Sequence, residues 1–279
     1  MSKVGQGFLT IAQNSDRDYL RLAYVQAMSV KLTMPESKYA VVVDQATAEQ
    51  IQDHHRRVFD HVIILPEDHA ATESWKLSNE WQVFELSPFK ETIKLESDLL
   101  FTRSIKHWWT ALRLRDVVLS TGCRDFLGQA SSSREYRRVF DDNGLPDVYN
   151  GLMYFRYSQL AAEFFYTAKL IFSQWDRVVD TLKNCRDPQP TTDLVYAITS
   201  EIVGRELTTL PSLDFINFTH MKPDINSWPH KPWPKMVVTE FDLPMIRINN
   251  QNQYHPLHYF DKDWISDRVV ELYEQRLWG

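Results

Sequence analysis

Glu96 and Asp98 stand two residues apart at the end of an apolar, β-forming run, Ile93-Lys94-Leu95, and are followed by Leu99-Leu100-Phe101. Strand side chains alternate between faces, so a strand over 93–95 would carry both carboxylates at its carboxyl end and on one side. Open α/β sheets bind their ligands at that end. A buried carboxylate pair is costly without a counter-charge. A hard divalent cation supplies one and can also hold a diphosphate. The acid-x-acid pattern alone is weak, because the same pair could cap the next helix.

Three other stretches carry comparable chemistry. In Val148-Tyr149-Asn150-Gly151-Leu152, Gly151 lets the backbone approach a ligand closely, and Asn150 offers both donors and an acceptor to a hydroxylated substrate; a strand bulge is the plainer reading. Asp193, after Pro190-Thr191-Thr192, either belongs to a helix N-terminal cap or points a carboxylate at a substrate. Asn217-Phe218-Thr219-His220-Met221-Lys222-Pro223 joins a candidate metal ligand to a cation two residues on. His255-Pro256-Leu257-His258 brings no acidic partner within its own motif and reads as structural.

The elements that must position these residues alternate. Strands are expected over 8–13, 39–43 and 62–65, with helices over 17–31 and 46–59 between them. Helical patterns follow over 70–84 and 105–114, strands over 116–120 and 148–155, and helices over 159–183 and 192–203. The stretch 122–146 has no clear pattern. Beyond 210 the chain is rich in Pro and Trp, until an amphipathic helix over 262–277. This alternation predicts an α/β fold with a doubly wound, mostly parallel sheet flanked by helices, and an irregular C-terminal region.

Composition narrows the function classes. A net charge of −6 disfavours a general nucleic-acid coat, and 279 residues with 43% hydrophobic content describe an ordinary globular chain. Cys123 and Cys185 are too few and too distant for a disulfide framework, which favours a reducing compartment. No stretch reaches the roughly 18 to 20 apolar residues of a membrane span. With no apolar run of signal-peptide length before the first strand, a cytoplasmic protein is expected.

Taken in order, the four motifs resemble the GT-A glycosyltransferases, particularly the family-8-like group that includes glycogenin and the bacterial galactosyltransferases. The resemblance covers the order of elements from Phe8 to Pro223. It implies a GT-A (Rossmann-like) catalytic domain over 1–223, with 224–279 as a C-terminal extension ending in a helix packed on it. It implies that Ala12, Gln13, Asn14 and Tyr19 lie in the nucleotide-binding turn. Glu96-Ser97-Asp98 falls on the Asp-x-Asp motif that binds manganese (or magnesium) and the sugar-nucleotide diphosphate. Asn150-Gly151 matches an Asn-x-Gly strand without its spacer, Asp193 the donor-sugar Asp, and Lys222-Pro223 the late Lys-Pro. Asp98, His220 and Glu96 are the expected metal ligands, with His220 preferred to Asn217. Asp98, Asn150 and Asp193 are the expected catalytic residues. Leu194 stands where many relatives carry Gln. Glu80 lies near a position where relatives often have a base, so Lys76 is expected to take that role.

The implied reaction moves a sugar (a hexose or a pentose) from a nucleotide-diphosphate donor, with UDP as the expected nucleotide, to an acceptor hydroxyl. The acceptor could be a glycan, a protein or a hydroxymethylated DNA base, in a bacterium or a phage-infected one. A DNA acceptor would use Arg134, Tyr136, Arg137 and Arg138 with Arg103, Lys106, His107 and Trp108. The stretch 228–233 is another candidate acceptor wall. The competing readings are a nucleotidyltransferase, which normally begins with a Gly-rich phosphate loop that 8–19 lacks, and a non-catalytic nucleotide-sugar-binding domain.

Overall fold

The computed structural model describes residues 3–72, 76–131, 133–185, 187–210, 216–226 and 232–279. Its first half runs β1 (Gln6–Ile11), α1 (Tyr19–Thr33), β2 (Lys38–Val43), α2 (Gln45–Ala48), α3 (Asp53–Arg56), β3 (His61–Ile64), α4 (Val83–Leu86), β4 (Glu91–Leu95), β5 (Leu99–Leu100), α5 (Trp108–Leu112) and β6 (Val117–Leu119). The second half continues with α6 (Arg138–Asp142), β7 (Leu152–Arg156), α7 (Gln159–Ser173), α8 (Trp175–Val179), α9 (Thr192–Val203), α10 (Arg205–Thr208) and β8 (Thr219–His220). It ends with β9 (Thr239–Asp242), β10 (Met245–Ile248), β11 (Gln251–Asn252), β12 (Leu257–His258) and α11 (Asp267–Trp278).

The main sheet has the order β3-β2-β1-β4-β7-β6. The first four strands are parallel, and β7 runs antiparallel to both β4 and β6. The expected mixed, mostly parallel sheet flanked by helices is therefore present. Alternation along the strands divides the core in two. Phe8, Val41, Val43, Ile93 and Leu95 face one layer, which holds α1 and much of the C-terminal region. Leu9, Ala40, Val42, Met153 and Phe155 face the other, with α7 and α9.

Short polar residues cap the helices, and the first helix starts at Tyr19, two residues later than expected. The Asp18 carboxylate accepts from Arg21 N–H at the head of α1, Asp44 accepts from Thr47 N–H at the head of α2, and Ser158 accepts from Ala161 N–H at the head of α7.

Several expected elements are broken up. The helix over 46–59 is two short ones, because Gln52 restarts the chain in an extended conformation as the cap of α3. Within 70–84 the described residues form a 3-10 turn, Lys76–Gln82, followed by α4. There Asn79 turns inward to bond Gln13, Asp68 and the His69 N–H. The long pattern 159–183 breaks at Gln174 into α7 and α8. The C-terminal region is more regular than its composition implies. It holds the antiparallel meander β9-β10-β11 and contributes the middle strand of a second small sheet, β5-β12-β8. That small sheet positions the site.

Candidate metal and donor site

The loop after β4 is clamped from both ends. Thr10 Oγ1 donates to Leu95 O over 2.9 Å, and Glu96 N–H donates to Gly151 O over 3.1 Å. Gln26, wholly buried in α1, donates from Nε2 to Glu96 O (2.6 Å) and Leu99 O (2.9 Å). Its Oε1 accepts from Tyr39 OH over 2.6 Å. Glu96-Ser97-Asp98 thus leaves the carboxyl end of β4 in one fixed shape.

Strand β12 then inserts between β5 and β8, pairing His258 with Leu99 on one side and with His220 on the other. Tyr259 N–H donates to Asp98 O over 3.0 Å. This register carries His258 onto the acidic loop: its Nε2 lies 3.0 Å from Glu96 Oε2 and 3.0 Å from Asp98 Oδ1. Four residues on, Lys262 donates from Nζ to Asp98 Oδ2 over 2.6 Å. Among the described residues, Glu96, Asp98 and His258 each bring a ligand atom within 4.8 Å of the others.

His258 therefore has two acidic partners, which corrects the structural role expected from its own motif. The carboxylates reach it from the other end of the chain. His220 stands behind it, the two imidazoles stacked with centroids 4.4 Å apart and planes 19° from parallel. The third position against the carboxylates is occupied by His258, and His220 Nδ1 is buried without a hydrogen-bond partner. Asn217 bonds locally, its Oδ1 accepting from Phe218 N–H.

The electrostatics follow from this packing. Burial alone would raise the Asp98 pKa, but His258 and Lys262 reverse that and hold it far below the usual carboxylate range. Burial would lower His258, and the two carboxylates outweigh it, pushing its pKa up to about 9. Burial and the neighbouring His258 charge hold His220 well below the ordinary histidine value, so it is a neutral ring.

Two carboxylates and one imidazole form an oxygen and nitrogen donor set that fits a divalent cation. In the protein alone, the His258 and Lys262 charges do the neutralising. Lys262 places its ammonium at the second oxygen of Asp98.

These groups line a cleft of about 390 Å³. Gln13, Tyr19, Lys76, Ser97, Asn150, Gly151, Asp193, His220 and Lys222 from the expected set all reach it. Ala12 and Asn14 lie behind its wall. Ala12 is wholly buried, and the Asn14 side chain is engaged by Asp18, Gln50 and Leu20 N–H.

Gly151 does serve a close approach, but to protein groups: a Cβ there would meet Phe218 Cζ at 2.9 Å and His258 Nδ1 at 3.4 Å. Asp193 is not the cap of α9. It accepts from Asn150 N–H over 2.7 Å and from Arg137 over 2.9 Å, so it fixes the 148–151 turn against the helix start. Asn150 lines the cleft, and its buried Oδ1 has no hydrogen-bond partner among the described residues. Leu194 is buried in the core layer of α7 and α9.

The basic residues divide. Arg137, 2% exposed, is held by Asp147, Asp193 and Val148 O, and so is withdrawn from any acceptor. Arg134 pairs with Asp141 and Asp147, and Arg138 with Asp142. Trp108 is core. Lys222 bonds Tyr136 OH and lies 5.3 Å from the Phe260 ring centre at the mouth. Lys76 donates to Ala70 O and Ala71 O, whereas Glu80 ion-pairs with Lys94 on β4. Of the expected acceptor wall 228–233, residues 228–231 lie outside the described residues. Trp233 is buried, donating to Tyr259 O over 2.6 Å.

His258 and Lys262 are the two site residues that sequence reasoning missed. The available signal was that His258…Lys262 repeats the His-then-Lys pattern credited to His220…Lys222.

No family model matches the chain, and no curated protein matches it in sequence. Solved structures do. Galactosyltransferase LgtC in complex with donor and acceptor sugar analogs aligns over 97% of this chain and 96% of its own, with 14% identity and a TM-score of 0.55. The apo form of the glycosyltransferase GlyE from Streptococcus pneumoniae TIGR4 aligns over 100% of this chain at 12% identity and a TM-score of 0.51, and this chain spans 61% of its length. The WbbM bifunctional glycosyltransferase aligns over 75% of this chain and 39% of its own, with 13% identity and a TM-score of 0.45. At such identities the likeness to LgtC and GlyE is one of fold, and that fold is GT-A.

Proposed function

We propose that this protein is a metal-dependent glycosyltransferase that moves a sugar from a nucleotide-diphosphate donor to an acceptor hydroxyl. One observation carries the reading: on a GT-A fold, Glu96, Asp98 and His258 converge at the carboxyl ends of the strands, inside a cleft of donor-sized volume. Mn²⁺ or Mg²⁺ held there would supply the charge that neutralises the departing diphosphate.

The chain's own groups have separable tasks. Asp98 and Glu96 would provide oxygen ligands, and His258, on giving up its ring proton to solvent, a nitrogen. Lys262, 2.6 Å from Asp98, turns its ammonium from that carboxylate toward the diphosphate, and Lys222 adds a second cation at the mouth. Tyr19, half-buried and lining the cleft, packs beside the nucleotide. Asn150 uses its unpartnered Oδ1 to accept from a sugar hydroxyl, and Asp193 keeps the Asn150 backbone in register. The stacked His220 limits the rotation of His258.

The test is a panel of nucleotide sugars, each incubated with Mn²⁺ or Mg²⁺ and followed for release of the nucleoside diphosphate. Metal-dependent release from at least one donor, lost in Asp98→Ala, is the expected result. Full activity in that variant, or release of pyrophosphate in place of a nucleoside diphosphate, would overturn the reading; the second outcome would mark a nucleotidyltransferase.

A further inference from the structure

Glu80 and Lys94 form an ion pair at the inner end of the cleft, and the chemistry above gives it no task. Lys94 is wholly buried in the middle of β4, on the face opposite Ile93 and Leu95. Glu80, on the 3-10 turn Lys76–Gln82, is 6% exposed and lines the cleft. Glu80 is thus the member of the pair that lines the cleft, and Lys94 is wholly buried. Stability does not account for the pair, since well-packed apolar residues usually serve as well or better at such a position.

The neighbouring groups have the same polarity. Asn150 presents a buried Oδ1 with no partner. Two of the cations that line the cleft are engaged by other protein groups: Arg137 by Asp147, Asp193 and a carbonyl, Lys76 by the carbonyls of Ala70 and Ala71. This end of the cleft offers acceptor atoms and withholds positive charge.

Resting on the glycosyltransferase reading, we infer that Glu80, held in place by Lys94, is a specificity-determining residue that selects a donor sugar with hydrogen-bond-donating hydroxyls and rejects one bearing a carboxylate. A hexose hydroxyl can donate to the Glu80 carboxylate. A hexuronate would set a second carboxylate against it, with Lys94 already paired to Glu80 and Arg137 and Lys76 held by other groups, which is strongly unfavourable.

The experiment is calorimetric titration of the full chain, loaded with Mn²⁺, with UDP, GDP, and matched pairs: UDP-glucose with UDP-glucuronate, UDP-galactose with UDP-galacturonate, and GDP-mannose with GDP-mannuronate. The hexose of the bound pair should bind at least about tenfold more tightly than its hexuronate. In Glu80→Gln the unpaired Lys94 should reverse that preference. In the double variant Glu80→Gln/Lys94→Met, which leaves no buried charge unpaired, the ratio should fall to within about twofold, with the affinity for the nucleoside diphosphate unchanged. A purely structural pair would not move that ratio. Equal binding of hexose and hexuronate by the unmodified protein, or an unchanged ratio in whichever variant folds, overturns the inference and leaves the glycosyltransferase reading standing. If neither nucleoside diphosphate nor any of the sugars binds, the glycosyltransferase reading fails and the inference falls with it.

Discussion

Lys262 donates from Nζ to Asp98 Oδ2 over 2.6 Å, across 164 residues of chain. With His258 against the other oxygen of the same carboxylate, two cations from the C-terminal region neutralise an acid in the loop after β4. Removing Lys262 should then have opposite effects on two ligands. In Lys262→Met, Mn²⁺ should bind more tightly, because a competing cation is gone. A nucleoside diphosphate should bind the Mn²⁺-loaded protein about tenfold more weakly, because a charge-assisted hydrogen bond is lost. Titrating each ligand separately checks this, and a fall in both affinities would contradict it.

The two stacked imidazoles should separate in the same assay. His258→Ala removes a ligand atom, whereas His220→Ala removes only the ring behind it. Mn²⁺ affinity is expected to drop about 100-fold or more in the first and about tenfold in the second. Electron paramagnetic resonance of free against bound Mn²⁺ reads both. The reverse order would make His220 the ligand.

Gly151→Ala places a methyl 2.9 Å from the Phe218 ring and 3.4 Å from His258. Neither can retreat far, since Phe218 is core and β12 is pinned between two strands. A loss of about 1–3 kcal/mol in unfolding free energy is expected, together with weaker Mn²⁺ binding. Denaturant unfolding and metal titration test the two parts. An unaffected variant would show that the turn is free to shift.

Gln26 reaches the metal loop without touching a ligand. In Gln26→Leu the Glu96 and Leu99 carbonyls and the Tyr39 hydroxyl all lose a buried partner. Each such loss costs about 1–3 kcal/mol, so a drop of several kcal/mol is expected by chemical denaturation. A loss under about 1 kcal/mol would mean that water or a rearranged loop replaces the amide.

Asp60 ties β2 to α1. Burial alone would raise its pKa, but hydrogen bonds from Lys31, Lys38 and the Tyr39 N–H lower it on balance. A carboxylate lowered in the folded state stabilises fully above its unfolded value of about 3.9, and that contribution is lost as pH falls through the folded pKa. The difference in melting temperature between the unmodified protein and Asp60→Asn should stay level from neutral pH to about pH 5 and shrink below about pH 4. A difference persisting to pH 2 would refute the linkage.

What the sequence determined by itself is local. Apolar, β-forming runs marked the strands, helical patterns marked α1, α7 and α9, and Glu96-x-Asp98 after an apolar run marked the acidic corner of the cleft. Asn150, Gly151, Asp193, His220 and Lys222 were named from the order of their motifs and the resemblance that order carries, and all five line the cleft. The identity of the histidine at the carboxylates was decided by tertiary structure. Both His220 and His258 precede a lysine, and only the insertion of β12 between β5 and β8, which puts His258 opposite Leu99, distinguishes them. Strand insertion depends on pairing between distant segments, and no window of sequence encodes it. The same holds for Glu80 and Lys94. Each looks like an ordinary charged residue until a 3-10 turn and the face of β4 bring them together in a desolvated floor, where burial makes their charges consequential.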